Sequence, residues 1–301
     1  MRVKKAYKLE KTISKLGIHA LDMLVWHSLR WWLNRCLPQY YKKNPPKTGK
    51  PLNEYTDESV IISLTTYPKR MDTLPLVLET LMRQTVKPTK IQLWLADEQY
   101  PDKKVVFQEL TSFINRGLEI MFCDDLKSHK KYYYAMLDNQ DSIIVTADDD
   151  IIYPEDMLES LLKKHNEYPK CIVTHRAHQM KMDGKGLLPY NKWNYRAKGC
   201  IGPDIYLCAT GGAGCLYPPH LLSEHVFDKD VFRKICFYAD DIWLKCMEQL
   251  NEIPVVLTGE NNPEIISTMD ASEGGLAQMN VEEGKNDQQL RAVTEYYNIK
   301  W

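Results

Sequence analysis

The hydrophobic pattern of the chain changes character at about residue 59. From there, short β-branched and aliphatic runs alternate with segments whose apolar positions recur at helical spacing. Ser59 to Thr66 (SVIISLTT) is almost continuously apolar, as a strand covered by helices on both faces requires. Asp72 to Gln84 places Leu74, Val77, Leu78, Leu81 and Met82 three and four apart on one helical face, and Lys87-Pro88 ends it. The same alternation predicts a strand over 91–96, a helix over 104–115, a strand over 117–123, a helix over 129–137 and a strand over 142–147. Pro154-Glu155-Asp156 reads as a helix start, with Pro at the first position and acids in the first turn, and the helix runs to about Asn166. Strands and helices alternating across short connections predict an α/β fold with a mostly parallel, Rossmann-like sheet. Ligands of such sheets bind beyond the carboxyl ends of the strands. Residues 171–220, rich in Gly, Tyr and Trp, break the alternation and read as an acceptor or specificity region against the same sheet.

The 301 residues, 44% hydrophobic and 26% charged, exclude a disordered or fibrous chain. A net charge of −1 conceals an asymmetry. Residues 1–50 hold 12 Lys and Arg against Glu10 and Asp22, a net of +10, which leaves 27 against 38, or −11, for the remainder. Within that basic stretch, Leu21, Leu24, Val25, Trp26, Leu29, Trp32 and Leu33 lie on an apolar helical stripe, fitting either an anionic membrane surface or a face packed on the main domain. Tyr40 to Pro51 reads as a linker. The expected organisation is thus a basic amphipathic segment with linker over 1–50 and one domain over 51–301, its nucleotide half at 59–168 and its acceptor half at 169–301. Eight Cys show no CxxC or zinc-finger spacing and fit buried thiols in a reducing cytoplasm. No apolar run is long enough to span a membrane and no secretory signal is present, so the expected location is cytoplasmic, with peripheral contact at the inner face of the cell membrane. No nucleic-acid partner is expected.

The chemistry concentrates after the fourth strand. Three successive carboxylates, Asp148, Asp149 and Asp150, repel one another unless a cation or strong donors neutralise them. Oxygen ligands select hard ions, and Mg2+ or Mn2+ binds through one or two carboxylates plus substrate phosphate oxygens. Strand alternation would aim Asp148 and Asp150 to one side and Asp149 to the other. The turn Thr210-Gly211-Gly212-Ala213-Gly214 permits close backbone approach to a ligand, or is simply tight. His175 and His178 are too loosely spaced to argue a transition-metal site, and Tyr190, Trp193 and Tyr195 suit either sugar stacking or packing.

Five segments in order, ISLTTYPKR, TLPLVLETLMRQTVKP, IIVTADDDIIYP, ATGGAGCLYPP and YADDIWL, resemble a glycosyltransferase of the A-type fold. They are similar to the bacterial family 2-like enzymes that build surface polysaccharides, and the likeness covers about residues 59–260. It implies that the loop bearing Thr65, Thr66, Tyr67 and Arg70 contacts the nucleotide, that Asp97 and Asp124 lie near the base, and that Lys130 or Lys131 supplies positive charge there. Asp148 would lie toward the ribose, with Asp149 beside it on the nucleotide sugar, and Asp150 would hold the Mn2+ or Mg2+ together with Asp148. Gly211 and Gly212 would line the donor sugar or acceptor. Asp241 would be the base that deprotonates the acceptor, unless Asp240-Asp241 only caps the helix that follows. A late histidine completes the metal shell in many such enzymes, but no His follows His225 here.

The implied function is inverting, metal-dependent transfer from a nucleotide sugar, a UDP-sugar, to an oligosaccharide or lipid-linked glycan in surface polysaccharide synthesis. A sugar-phosphate nucleotidyltransferase is the alternative enzyme, but that class places a Gly-rich basic loop after the first strand, and TTYPKRMDT has no Gly. A non-catalytic scaffold of a polysaccharide-assembly complex is the third reading, and the intact acid set argues against it.

Overall fold

The structure, a computed structural model, describes residues 3–46, 49–184, 186–260, 262–271 and 284–301. Two helices, α1 (Val3–Ser14) and α2 (His19–Lys43), precede the first strand. The alternating half then follows as β1 (Val60–Thr65), α3 (Leu74–Leu81), β2 (Lys90–Ala96), α4 (Lys103–Glu109), α5 (Thr111–Ile114), β3 (Leu118–Cys123), α6 (Lys130–Asp138), β4 (Ile143–Thr146) and α7 (Met157–Glu167). The second half is β5 (Ile172–Thr174), β6 (Ala177–Gln179), β7 (Met182–Asp183), β8 (Gly186–Leu187), β9 (Leu207–Ala209), β10 (Cys215–Tyr217), α8 (Lys229–Ile235), α9 (Asp240–Leu250), β11 (Val255–Leu257) and α10 (Lys285–Tyr297). The single helix expected over 104–115 is two, α4 and α5, meeting at Leu110.

Seven strands form the central sheet in the order β11-β5-β10-β4-β1-β2-β3. Neighbours are parallel except for β10, which runs antiparallel to both β4 and β5. The expected α/β fold with a mostly parallel Rossmann-like sheet is therefore what forms. Two consequences position the site. From β1 the chain winds outward to β2 and β3, then crosses back to β4 on the other side, so the crevice where ligands bind in such sheets opens at β1 and β4. Because β10 is reversed, its starting end lies at the edge where β4 and β5 finish, which brings Gly211 and Gly212 to that edge. Apolar side chains of both faces, among them Leu64, Leu78, Leu93 and Val145 on one and Trp243, Tyr217 and Leu207 on the other, are buried and fix the sheet between helical layers.

The N-terminal stripe divides. Leu29 and Leu33, continued by Leu37 and Tyr41, are buried with Val3, Ala6 and Tyr7 of α1 against Ile152 and Ile266, whereas Leu24 of the stripe is 64% exposed and Trp31, outside it, is 57% exposed. The four-residue spacing of that buried face carries α2 through Pro38 as far as Lys43, so the expected linker is shorter than the interval from Tyr40 to Pro51. Lys50 is already tied to the main body by its N–H to the Thr85 carbonyl at 2.6 Å and its ammonium to Glu159 at 2.8 Å. Polar contacts hold the hairpin to one strap of chain. Tyr7 Oη donates to the Ile152 carbonyl and accepts from the Ile266 N–H, while Trp26, Arg30 and Asn34 donate to the carbonyls of Ile265, Thr268 and Ser267. The strap in turn donates from Thr268 N–H to the Asp150 carbonyl at 2.7 Å.

Candidate active site

The acids gather where the sheet ends. β4 stops pairing as a strand at Thr146, so the two-residue alternation does not govern the three aspartates that follow, and the expected placement of Asp149 opposite Asp150 is corrected. Both turn to one guanidinium: Arg70 Nη1 lies 2.5 Å from Asp149 and 2.9 Å from Asp150. Thr66 Oγ1 donates a second hydrogen bond to Asp149, at 2.5 Å. Asp148 turns instead to the Lys131 ammonium, 2.6 Å away. Burial alone would lower Arg70, but the charges of Asp149 and Asp150 outweigh it and hold the guanidinium more basic than usual. Asp150 is raised by burial first and then by the nearby Asp148 carboxylate.

Lys131, in the first turn of α6, is the hub of the other half. Its ammonium is buried and reaches Asp240 at 2.9 Å as well as Asp148, and these charges with that of Asp241 overcome burial and raise its pKa. Burial works against ionisation of Asp240, but Lys131 outweighs it and keeps the carboxylate low. Asp241 goes the other way, raised by burial and then by Asp240. Its Oδ1 accepts the Gly211 N–H at 2.9 Å, and the residue before α9 is Ala239, with no side-chain cap. The carboxylate of Asp241 is thus directed across the site to the glycine turn and not spent on its own helix.

The turn closes the ring. A Cβ built on Gly212 would lie 2.1 Å from Asp148 Oδ2, so any side chain there would force that carboxylate to move, while Tyr153 Oη donates to the Gly212 carbonyl and accepts the Asp148 N–H. Gly212→Ala is expected to displace Asp148 and cost about 100-fold in turnover, the scale of a misplacement near 1 Å. The control is Gly184→Ala, where a Cβ meets nothing within 4 Å and activity should be unchanged. Steady-state kinetics of the pair checks this, and equal rates would refute the close-approach role.

Five carboxylates, Asp148, Asp149, Asp150, Asp240 and Asp241, face two buried cations, Arg70 and Lys131, and this excess of negative charge suits a further cation. Among the described residues no three His, Cys, Asp or Glu converge as a metal cage. A hard divalent ion also binds through one or two carboxylates with ligand oxygens completing the shell, and the carboxylates at the centre of this site, Asp148 and Asp150, are paired here with Lys131 and Arg70.

The remaining expected contacts lie around this centre. Thr65 Oγ1 donates to the Trp94 carbonyl at 2.8 Å, and Tyr67 carries the Arg70 guanidinium 5.4 Å above its ring. Asp97 and Asp124, beyond β2 and β3, are more than half exposed and pair with Lys103 and Lys229. Lys130 does not join the acids of the centre. It is buried against Asp125, which burial would raise but Lys127 and Lys130 hold down to about 2. Asp240, a member of the centre, and Asp125, the buried partner of Lys130 outside it, are acids that the sequence did not single out. The doublets Asp124-Asp125 and Asp240-Asp241 were the only signal, and a doublet does not tell which acid faces inward. His175 is hydrogen-bonded at Nδ1 to Thr258 and at Nε2 to the Met157 carbonyl, and His178 accepts the Arg196 N–H at Nδ1.

No family profile and no curated protein matches the sequence. Solved structures similar to it include Staphylococcus aureus TarS 1-349, at 12% identity over 78% of this chain and 70% of that one, with a TM-score of 0.46. Another is the mannosyltransferase PcManGT of Pyrobaculum calidifontis, solved with GDP-Man and Mn2+, at 10% identity over 96% and 76% and a TM-score of 0.49. A third is CMP:2-keto-3-deoxy-manno-octonic acid synthetase complexed with CTP, at 14% identity over 74% and 99% and a TM-score of 0.42. Glycosyltransferases and nucleotidyltransferases thus both stand among the structures it resembles, and likenesses this distant assign no chemistry to the chain.

Proposed function

We propose that the chain is an inverting glycosyltransferase that moves the sugar of a UDP-sugar onto a glycan acceptor, an oligosaccharide or lipid-linked chain of surface polysaccharide synthesis. One observation carries the reading: Asp241 from α9 and the Asp148–Asp150 run from β4 meet across Gly211 and Gly212 at the carboxyl edge of the sheet. The nucleotide would lie over the ends of β1, β2 and β3, within reach of Thr65, Thr66, Tyr67 and Arg70, with Asp97 and Asp124 at the outer rim for the base.

Asp241 takes the proton of the acceptor hydroxyl as its oxygen forms a bond to the anomeric carbon. The bond from that carbon to the phosphate oxygen breaks, its electron pair leaves with the nucleoside diphosphate, and the configuration inverts. A pKa raised by burial suits a base, because a more basic carboxylate holds the transferred proton better. Lys131 is ion-paired with Asp148 and Asp240, whereas Asp241 keeps its raised pKa despite the field of that ammonium. Mn2+ or Mg2+ would be held by Asp150 and Asp148 and would supply Lewis-acid assistance to the departing diphosphate. UDP release from UDP-sugars, measured with acceptor and with or without Mn2+, tests the proposal. Release of inorganic diphosphate from a nucleoside triphosphate and a sugar phosphate would instead establish a nucleotidyltransferase.

We further propose that the hairpin of α1 and α2 docks the enzyme on an anionic membrane surface, where a lipid-linked acceptor would lie. No helix is long and apolar enough to cross a membrane among the described residues. Leu16, Ile18, Leu24 and Trp31 are each more than half exposed, and Lys5, Lys8, Lys15 and Arg35 are exposed around them. Each basic residue near such a surface contributes roughly 1 kcal/mol, and the apolar side chains insert. The full chain should sediment with vesicles of phosphatidylcholine and phosphatidylglycerol, less so at high salt, and Leu24→Glu with Trp31→Glu should abolish binding without loss of stability. Full-length protein that stays in the supernatant with anionic vesicles would refute this.

A further inference from the structure

Beside the acid centre, between the end of β5 and the start of β6, lies a second charged group that the transfer mechanism does not use. Arg176 follows β5 and is joined to the glycine turn: Thr210 N–H donates to the Arg176 carbonyl at 2.9 Å, and Arg176 Nη1 reaches Thr210 Oγ1 at 3.4 Å. Thr210 precedes Gly211, the residue that Asp241 holds. Arg176 is therefore one residue removed from the contact made by the proposed base.

Two arginines here share one carboxylate loosely. Arg176 Nε and Arg196 Nη1 each stand 3.5 Å from Glu264, beyond normal hydrogen-bond length, and the buried Nε–H of Arg176 has no hydrogen-bond partner among the described residues. A buried donor of this kind calls for a ligand or water. The field of Glu10 reaches Arg196 too, but burial drives that carboxyl toward its neutral form. Next to the guanidinium stands an aromatic wall. Arg176 donates to Tyr195 Oη at 2.7 Å and lies 5.2 Å from the centre of the Tyr195 ring, which is 55% exposed and stacked on His178. Arg196 and Ala197 adopt left-handed backbone, with φ of 60° and 46°. Two consecutive non-glycine residues in that region are costly, and such strain persists where the surroundings impose it, often at ligand sites.

We infer that Arg176, Arg196 and Tyr195 form an acceptor subsite for a saccharide bearing an oxyanion, a carboxylate or a phosphate, adjacent to the hydroxyl that Asp241 deprotonates. The inference rests on the transferase reading for the word acceptor and deepens it by naming the acceptor's charge. Guanidinium groups bind carboxylate and phosphate through paired N–H donors, and an exposed tyrosine ring offers an apolar face to a sugar.

The test uses binding without donor, so that it is separable from turnover. Calorimetry on the full chain compares a uronic acid disaccharide, a sugar phosphate and the neutral disaccharide of the same linkage. Both anionic probes should bind at least about tenfold more tightly than the neutral one, the worth of one charge-assisted hydrogen bond. Arg176→Gln should abolish this preference and leave UDP affinity unchanged, whereas Tyr195→Ala should weaken the acidic and neutral saccharides alike. Equal binding of acidic and neutral saccharides by the wild-type chain overturns the inference, and this comparison stands even if Arg176→Gln fails to fold. Loss of UDP affinity in a folded Arg176→Gln chain also overturns it, because the arginine would then belong to the donor. Absence of UDP release with preserved discrimination would count against the transferase and not against the oxyanion site.

Discussion

Asp241→Asn should lower transfer by about 100-fold or more while leaving UDP-sugar affinity within a factor of about two, since general-base assistance contributes on that scale and the residue does not touch the nucleotide side. The amide oxygen of Asn can still accept the Gly211 N–H that Asp241 accepts at 2.9 Å, so the glycine turn keeps its position. Only the capacity to take a proton is lost. Removing one of two adjacent buried carboxylates also relieves the repulsion from Asp240 that raises Asp241, so the melting temperature should hold or rise. A pH profile adds a second readout. Asp241 acts as a base only when ionised, so kcat/KM should rise with pH along a limb displaced above the ordinary carboxylate value of about 4, and Asp240→Asn should move that limb downward. Near-normal turnover in Asp241→Asn would leave Asp241 as a strut between α9 and the turn.

Asp150→Ala should cost about 1,000-fold in turnover, because several kcal/mol of charge stabilisation at the departing diphosphate would go with it. The Mn2+ dependence of UDP binding should disappear in parallel. Structure argues that the fold survives the change. Arg70 keeps Asp149 at 2.5 Å, the strap keeps its bond to the backbone carbonyl at position 150, and a carboxylate raised by burial and by Asp148 is removed. A site that crowds like charges for function gains stability when one is deleted. Thermal unfolding and metal titration of the variant check both halves, and unchanged turnover would end the metal assignment.

The fixed attachment of α1 and α2 explains why point substitutions are the better probe of the membrane face than removal of the first fifty residues. Tyr7, Trp26, Arg30 and Asn34 hold the strap whose Thr268 bonds Asp150, so deletion would disturb the acid centre as well as any lipid contact.

What the sequence determined by itself was the part set by local periodicity. The apolar runs of β1 to β4 and the helical spacing in α3 and α6 specify buried parallel strands and their covering helices, because a strand covered on both faces and a helix buried on one leave different repeats in the chain. The acids at the end of β4 followed from the same reading, since position after a strand is a sequence property. Tertiary structure alone decided which charges meet. The reversal of β10 brings Gly212 against Asp148, Lys131 from α6 reaches across to Asp240, and Arg70 gathers Asp149 and Asp150 once β4 has ended. It also decided that Asp125, and not Asp124, is the buried partner of Lys130, and that Pro38 lies inside a helix. Those outcomes depend on contacts between residues tens to hundreds of positions apart, where side-chain direction is fixed by packing and charge and leaves no periodic trace in the chain.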